Sequence, residues 1–326
     1  MTERSPRPLK QKPRTVLDAI IARFQESFGE AFRQDVQLSR YTTAGLGGPA
    51  DFHVTVRSAN EMVEAVTLAR RQHIPCWVLG DGSNVLVSDL GMRGLVIRNK
   101  AKAIAFRHNG LGVVVRAESG VNLSGLARRC ASRGLDGLTW AAGIPGTVGG
   151  AVVGNAGAHG SDVANSLRQA SILDADLQVR DCPAAEMKYG YRSSALKAAH
   201  TGQGETDRVV LAAEFNLRPA STAELELRMT EIVEHRKRTQ PPGASMGCMF
   251  KNPPGDHAGR LMDEANLKGV RIGGAQISTA HANFFVNDDE ATAEDVRKLM
   301  AEAWHAVKDR FGIALEPEVE LIGDWD

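Results

Sequence analysis

Apolar residues recur along this chain at two spacings, roughly every second residue and roughly every third or fourth, which separates strands from helices. The helical spacing predicts a helix over Val16–Phe28. A strand-like run follows at Phe52–Val56. Ser58, with Glu61 three residues on, has the form of a capping box opening a helix that runs to about His73. Pro75 closes it, and Cys76–Leu79 and Val85–Val87 are short apolar strands. A second segment begins near residue 100. It has a strand at Val113–Ala117, then a helix capped by Asn122 with Leu123, Leu126, Ala127 and Cys130 on one face and Gly134 at its stop. Strands are expected over Ser171–Val179 and Val209–Leu217. A third segment begins at Arg218. Leu225, Met229, Ile232 and Val233 form a helical stripe ended by Pro241 and Pro242, and a loop covers Gly247–Pro254. The strand Phe284–Val286 precedes a long helix capped by Thr292 and Asp295. That helix turns Val296, Leu299, Met300, Ala303 and Val307 inward and stops at Gly312. The chain closes on Val319–Ile322. The pattern is α+β in three parts.

Composition narrows the function more than the fold. Hydrophobic residues make up 43% of the 326 and charged residues 24%, enough to bury a core. Lys plus Arg and Asp plus Glu each number 39. That balance removes the electrostatic case for a nucleic acid or membrane partner. No run of about 18 apolar residues is present to span a bilayer. Met1–Arg14 is basic and contains prolines but lacks the apolar core of an export signal, so it reads as a solvated tail. Cys76, Cys130, Cys182 and Cys248 form no CxxC pair and no zinc spacing. No metal site is expected, and free thiols suit a cytoplasmic location.

Glycine is abundant, at 33 residues, and much of it is clustered. The clusters are Tyr41-Thr-Thr-Ala-Gly-Leu-Gly-Gly-Pro-Ala50, Gly80-Asp-Gly-Ser-Asn84, and Gly143-Ile-Pro-Gly-Thr-Val-Gly-Gly-Ala151 running on to Asn155-Ala-Gly-Ala158. Glycine lets backbone N–H groups approach a phosphate with no side chain between. Tight turns alone would also use it. No GxxxxGK[ST] is present, and no GxGxxG opens a helix after a strand, which disfavours P-loop and Rossmann sites. Three clusters together point to a large anionic ligand, and a pyrophosphate-containing cofactor fits.

In order along the chain, these clusters resemble the motifs of one family. So do Tyr191-Arg-Ser193, Gly247-Cys-Met-Phe-Lys-Asn-Pro253, Leu267-Lys-Gly269, His281-Ala-Asn-Phe284 and Glu316-Pro-Glu-Val-Glu-Leu-Ile-Gly323. The family is UDP-N-acetylenolpyruvoylglucosamine reductase, and the resemblance covers about residues 35–323. It implies an α+β chain with the FAD-binding fold of the vanillyl-alcohol oxidase type. The tail and first helix would occupy 1–34, two FAD-binding α/β subdomains 35–100 and 101–217, and a substrate-binding domain 218–326. The chain is similar to the branch lacking an inserted tyrosine-bearing loop, since no extra segment between Tyr191 and the third part is long enough to carry one.

The resemblance further implies NADPH-dependent reduction of UDP-N-acetylglucosamine enolpyruvate to UDP-N-acetylmuramate through non-covalent FAD, in cytoplasmic cell-wall precursor synthesis. The implied partners are the UDP-sugar and NADPH, with the chain a monomer or weak oligomer. Hydride addition beta to the carboxylate leaves an enolate-like species, which needs charge stabilisation and an acid. Arg192 and Glu318 match the family's stabilising residues. Cys248 stands where the family usually has serine as the acid. A thiol is the stronger acid of the two, and it oxidises where serine does not. FAD contacts are implied for Gly80, Gly82, Ser83, Asn84, Gly146, Thr147, Gly149 and Asn155. UDP-sugar contacts are implied for Tyr191, Arg236, Asn252 and Lys268. Three other readings stay in play: a sibling oxidase of the same fold, a binding module that lost turnover when serine became cysteine, and a Cys248–His257 hydrolase, which would explain none of the glycine clusters.

Overall fold

The computed structural model describes residues 14–110, 112–198 and 207–325. The basic tail over residues 1–13 lies outside the described residues, as do residues 199–206 in the stretch where an inserted loop would sit. Two compact units share the chain discontinuously. One comprises the described residues of Met1–Val36, Ala50–Gly80 and Met92–Ile232; the other comprises Gln37–Pro49, Asp81–Gly91 and Val233–Asp326.

The described residues of the first unit form two larger sheets and the short pair Gly157–Ala158 and Ser161–Asp162. A four-stranded sheet runs in the order Phe32–Gln37, Pro49–Val56, Met92–Asn99, Cys76–Leu79, with Met92–Asn99 parallel to both its neighbours. The helices Arg14–Phe28 and Ala59–Arg71 bury Ile20, Phe24, Met62 and Val66 in one cluster with Phe52, Val54 and Ile97 of this sheet. The Phe24 ring stacks on Phe32 at 5.2 Å between centroids. Ser58 caps the second helix by accepting from the Glu61 amide at 3.1 Å. The Glu61 carboxylate accepts in return from the Arg57 amide at 2.7 Å, one residue short of a reciprocal box.

The second sheet is antiparallel and six-stranded. Its path is Val179–Pro183, Leu167–Leu173, Val209–Pro219, Gly112–Glu118, Ile104–Asn109, with Leu135–Asp136 pairing off the path. The strand expected over Ser171–Val179 is instead two strands joined by a turn, because Leu177 adopts φ +64 and its amide donates to Asp174 O at 3.0 Å. Arg180 and Arg208 both pair with Asp174 at 2.6 Å and hold that turn. The helix Leu123–Ala131 sits on its Asn122 cap, and all four of its expected inward residues are buried.

The second unit is built on the helix Ala293–Phe311, whose Thr292–Asp295 capping box and left-handed Gly312 stop match the sequence reading. Its apolar face packs with Phe250, Leu261, Met262, Ile277 and Phe285 in one cluster. A four-stranded antiparallel sheet runs Ala244–Cys248, Phe284–Asn287, Ala275–Ile277, Arg271–Ile272. Here the loop expected from Gly247 is the end of a strand, because Cys248 pairs with Phe284 after a register shift. Separately, Glu320–Ile322 pairs in parallel with Val85–Val87.

Candidate active site

In the first unit, the third glycine cluster wraps onto neighbouring backbone. Gly146 takes φ +108 and its carbonyl accepts from the Leu123 amide at 3.0 Å. Thr147 caps the helix Val148–Gly154, and the Gly149 amide donates to Ser119 O at 2.8 Å. A Cβ on Gly80 would lie 2.5 Å from Thr147 Oγ1, so the second and third clusters touch at Gly80 and only glycine fits there.

In the second unit, the first two clusters are locked together. Gly82 has φ +62, and its carbonyl accepts from Thr43 N at 3.0 Å and Thr43 Oγ1 at 3.3 Å. A Cβ on Gly82 would meet Tyr41 O at 2.3 Å. The amides of Gly82 and Ser83 take no partner among the described residues. Two adjacent unsatisfied N–H groups, the first of them on a buried residue, suit the oxygens of a diphosphate. The residues present therefore fit FAD. Asn84 donates its side-chain amide to Glu318 O at 3.2 Å, and its own carbonyl accepts from Glu320 N at 3.1 Å.

The candidates for proton chemistry also fall into two groups. In the second unit, the Glu318 amide donates to Met249 O at 2.8 Å and the Lys251 amide to Glu316 O at 2.8 Å. Glu318 and Cys248 thus ride on adjacent backbone, one residue apart across that pairing. Both are half-buried. Arg236 approaches the same thiol: burial pushes its guanidinium below the usual value, and the nearby Cys248 sulfur works against that shift. Asn252 Oδ1 accepts from the Ala258 amide at 3.1 Å and steadies the start of the helix Ala258–Glu264. Lys268 Nζ pairs with Asp263 at 2.6 Å on the surface.

Two residues of this unit that the sequence placed in a motif without a role prove structural. Asn283, 2% exposed, accepts from Phe250 N at 2.9 Å and donates to Phe250 O at 2.8 Å. It pins the residue two beyond Cys248. His281 Nδ1 accepts from Asn283 N at 3.2 Å, and burial, then Lys268, holds its pKa below the usual histidine value. No spacing rule marks the role of Asn283, because its partner Phe250 lies 33 residues away in the chain.

Arg192 belongs to the first unit. It stands at φ +50 in a two-residue turn closed by Gly190 N to Ser193 O at 3.1 Å and Ser193 N to Gly190 O at 3.2 Å. Its guanidinium lies 5.6 Å over the ring of Tyr191, which is 56% exposed. Asn155, at φ +46, is buried at the end of the helix Val148–Gly154.

The FAD binding domain family matches residues 50–183, and the family described as UDP-N-acetylenolpyruvoylglucosamine reductase, C-terminal domain, matches residues 238–322. The UDP-N-acetylenolpyruvoylglucosamine reductase of Streptococcus thermophilus is 42% identical over 302 residues, covering 92% of this chain and 96% of its own. The enzyme of that name from Rubrobacter xylanophilus is 44% identical over 294 residues, covering 90% and 96%. The crystal structure of UDP-N-acetylenolpyruvylglucosamine reductase from Thermus caldophilus is similar with a TM-score of 0.74 at 36% identity, covering 89% of this chain and 99% of that one.

Proposed function

We propose, from the premise that this chain belongs to the UDP-N-acetylenolpyruvoylglucosamine reductase family, that Arg192, Cys248 and Glu318 carry its chemistry. The chain is an FAD-dependent oxidoreductase of α+β fold that reduces UDP-N-acetylglucosamine enolpyruvate to UDP-N-acetylmuramate with NADPH, in peptidoglycan precursor synthesis. Bound FAD supplies the hydride relay between NADPH and the alkene.

The protein's own residues handle charge and the proton. Arg192 offers a planar fork to the substrate carboxylate as charge builds there. Cys248 gives its thiol proton to the carbon alpha to that carboxylate. Glu318 steadies the same developing charge through a shared proton. Gly82 and Ser83 hold phosphate oxygens through their amides, with Gly80, Asn84, Gly146, Thr147 and Gly149 completing the cofactor contacts. Tyr191, Arg236, Asn252 and Lys268 receive the UDP-sugar, and residues 218–326 form the substrate-binding part. We place the enzyme in the cytoplasm as a monomer or weak oligomer with no nucleic acid or membrane partner. The balanced charge and the free thiols support that location. No helix among the described residues is long and apolar enough to cross a membrane.

The observation that carries the assignment of the acid is the backbone bond from Glu318 N to Met249 O, which sets Glu318 beside the Cys248 segment. The test is anaerobic flavin absorbance in the wild type and Cys248→Ala. NADPH bleaches both proteins. Adding the enolpyruvyl substrate restores colour in the wild type and does so about 100-fold or more slower in the variant. Equal recovery in both would remove Cys248 as the acid.

A further inference from the structure

The side chain of Asn155 makes a set of bonds inside the chain that its place in the third glycine cluster does not reveal. Its Nδ2 donates to Gly190 O at 2.9 Å and to Asp162 Oδ2 at 3.1 Å, and its Oδ1 accepts from the Ala164 amide at 3.1 Å. Both amide hydrogens and the oxygen are engaged, and the residue is 3% exposed. Its backbone N–H is also taken, by Ala151 O.

Gly190 is the first residue of the turn that presents Arg192. The far side of that turn is tied to the same helix end: Ser194 Oγ donates to Val153 O at 2.6 Å and accepts from the Lys197 amide at 3.1 Å. Tyr189 OH, just before the turn, donates to Val152 O at 3.0 Å. Three anchors at one helix end, Val152, Val153 and Asn155, thus grip residues 189, 190 and 194 on both sides of Arg192. Arginine at φ +50 is a costly backbone state that only surrounding contacts can hold.

We infer that Asn155 is a positioning residue for Arg192, with Ser194 as its second support, rather than a residue whose side chain contacts the cofactor. This rests on the role given above to Arg192. Asn155 fixes the Gly190 carbonyl, which fixes the turn, which aims the guanidinium at the substrate carboxylate. Displacement of such a group by about 1 Å costs on the order of 100-fold in rate.

Asn155→Gly is the test variant, because glycine keeps the left-handed backbone and removes only the amide. Three quantities are read on the purified holoenzyme: FAD content, the rate of anaerobic bleaching by NADPH, and the rate of recovery on adding the enolpyruvyl substrate. FAD content and bleaching stay within about 2-fold of wild type, and recovery slows about 10- to 100-fold. In an Arg192→Ala background, Asn155→Gly slows recovery by no more than about 2-fold further, the non-additivity of two residues acting through one group. Ser194→Ala, a milder change on the other side of the turn, slows recovery about 3-fold with the same dependence on Arg192, and it carries the test if the Asn155 variant fails to fold. Loss of FAD or of bleaching in Asn155→Gly overturns the inference and returns the residue to the cofactor site. The same fold-loss with and without Arg192 also overturns it. If Arg192→Ala alone recovers like wild type, the role of Arg192 falls, and this inference falls with it.

Discussion

The turn that carries Arg192 and the strand end that carries Cys248 are anchored in opposite ways. Around Arg192 the anchors are side chains on backbone: Asn155 on Gly190, Ser194 on Val153, Tyr189 on Val152. Around Cys248 they are mostly backbone on backbone: Met249 N to Asn283 O at 2.9 Å, Glu318 N to Met249 O at 2.8 Å, Lys251 N to Glu316 O at 2.8 Å. Asn283 is the buried side chain that joins them at Phe250. A backbone ladder survives most substitutions, because every residue but proline brings the same donor and acceptor. Side-chain anchors are lost one codon at a time. The first region should therefore transmit distant substitutions to its arginine, while the second should register mainly what replaces Cys248 itself.

The largest expected effect comes from Arg192→Lys. Lysine keeps the charge but loses the planar fork and the stacking over Tyr191. Recovery of the bleached flavin on substrate addition should slow about 100- to 1000-fold, with bleaching by NADPH unchanged. A loss under about 5-fold would mean that charge alone suffices, and the side-chain anchoring of the turn would then have little to protect.

Next comes acid stability, which should differ between the two units. His53 lies fully buried in the strand Pro49–Val56 of the first unit, and burial, then Arg33 and Arg98, pushes its pKa down to about 4. The unfolded value is near 6.5. Between those values the unfolded chain binds the proton and the folded chain does not. Stability is therefore full above about pH 6.5 and falls by up to about 3 kcal/mol as pH drops towards 4. Urea unfolding at pH 7 and pH 4.5 checks it, and His53→Gln should flatten the difference. An unchanged slope in that variant would assign the acid sensitivity elsewhere.

Similar in size is Asn283→Ala, aimed at a buried side chain in the backbone-held region. It strands the buried Phe250 N and O and should cost about 2–4 kcal/mol of stability, read as a lower urea midpoint. A variant as stable as wild type would show that the ladder does not need Asn283.

The same contrast explains what the sequence revealed. The caps at Ser58, Asn122 and Thr292 were legible because donor and acceptor lie three residues apart. Cys76–Leu79 and Val85–Val87 stood out as apolar runs between turn residues. Met92–Asn99 did not, because its Gly94 and flanking arginines interrupt the pattern while its central residues are buried by the fold. The helix Val148–Gly154 stayed hidden inside the third glycine cluster, since Val-Gly-Gly-Ala-Val-Val-Gly carries three glycines that disfavour a helix interior. Cys248, Glu318 and Arg192 were legible only through motif resemblance. What holds them, Asn155 above all, was not, because Gly190 is 35 residues away and no spacing rule reaches that far.

The smallest expected effect is Cys248→Ser, and it asks most directly whether the backbone-held region registers only the atom placed in it. Serine is close to cysteine in size, and the ladder on both sides is backbone, so the hydroxyl should occupy the position of the thiol. A hydroxyl is the weaker acid, which argues for slower proton delivery, but a proton passed to a forming carbanion is a favourable transfer for either group. Recovery of the flavin should therefore change by less than about 10-fold. The clearer difference should be oxidative. Cys76, Cys130 and Cys182 are buried, and Cys248 is half-exposed, so hydrogen peroxide should inactivate the wild type first at Cys248. The serine variant should keep its activity through the same treatment. Equal inactivation of both would place the sensitive group away from Cys248, and a recovery rate lowered far beyond 10-fold would mean that the sulfur, not the backbone, sets the geometry there.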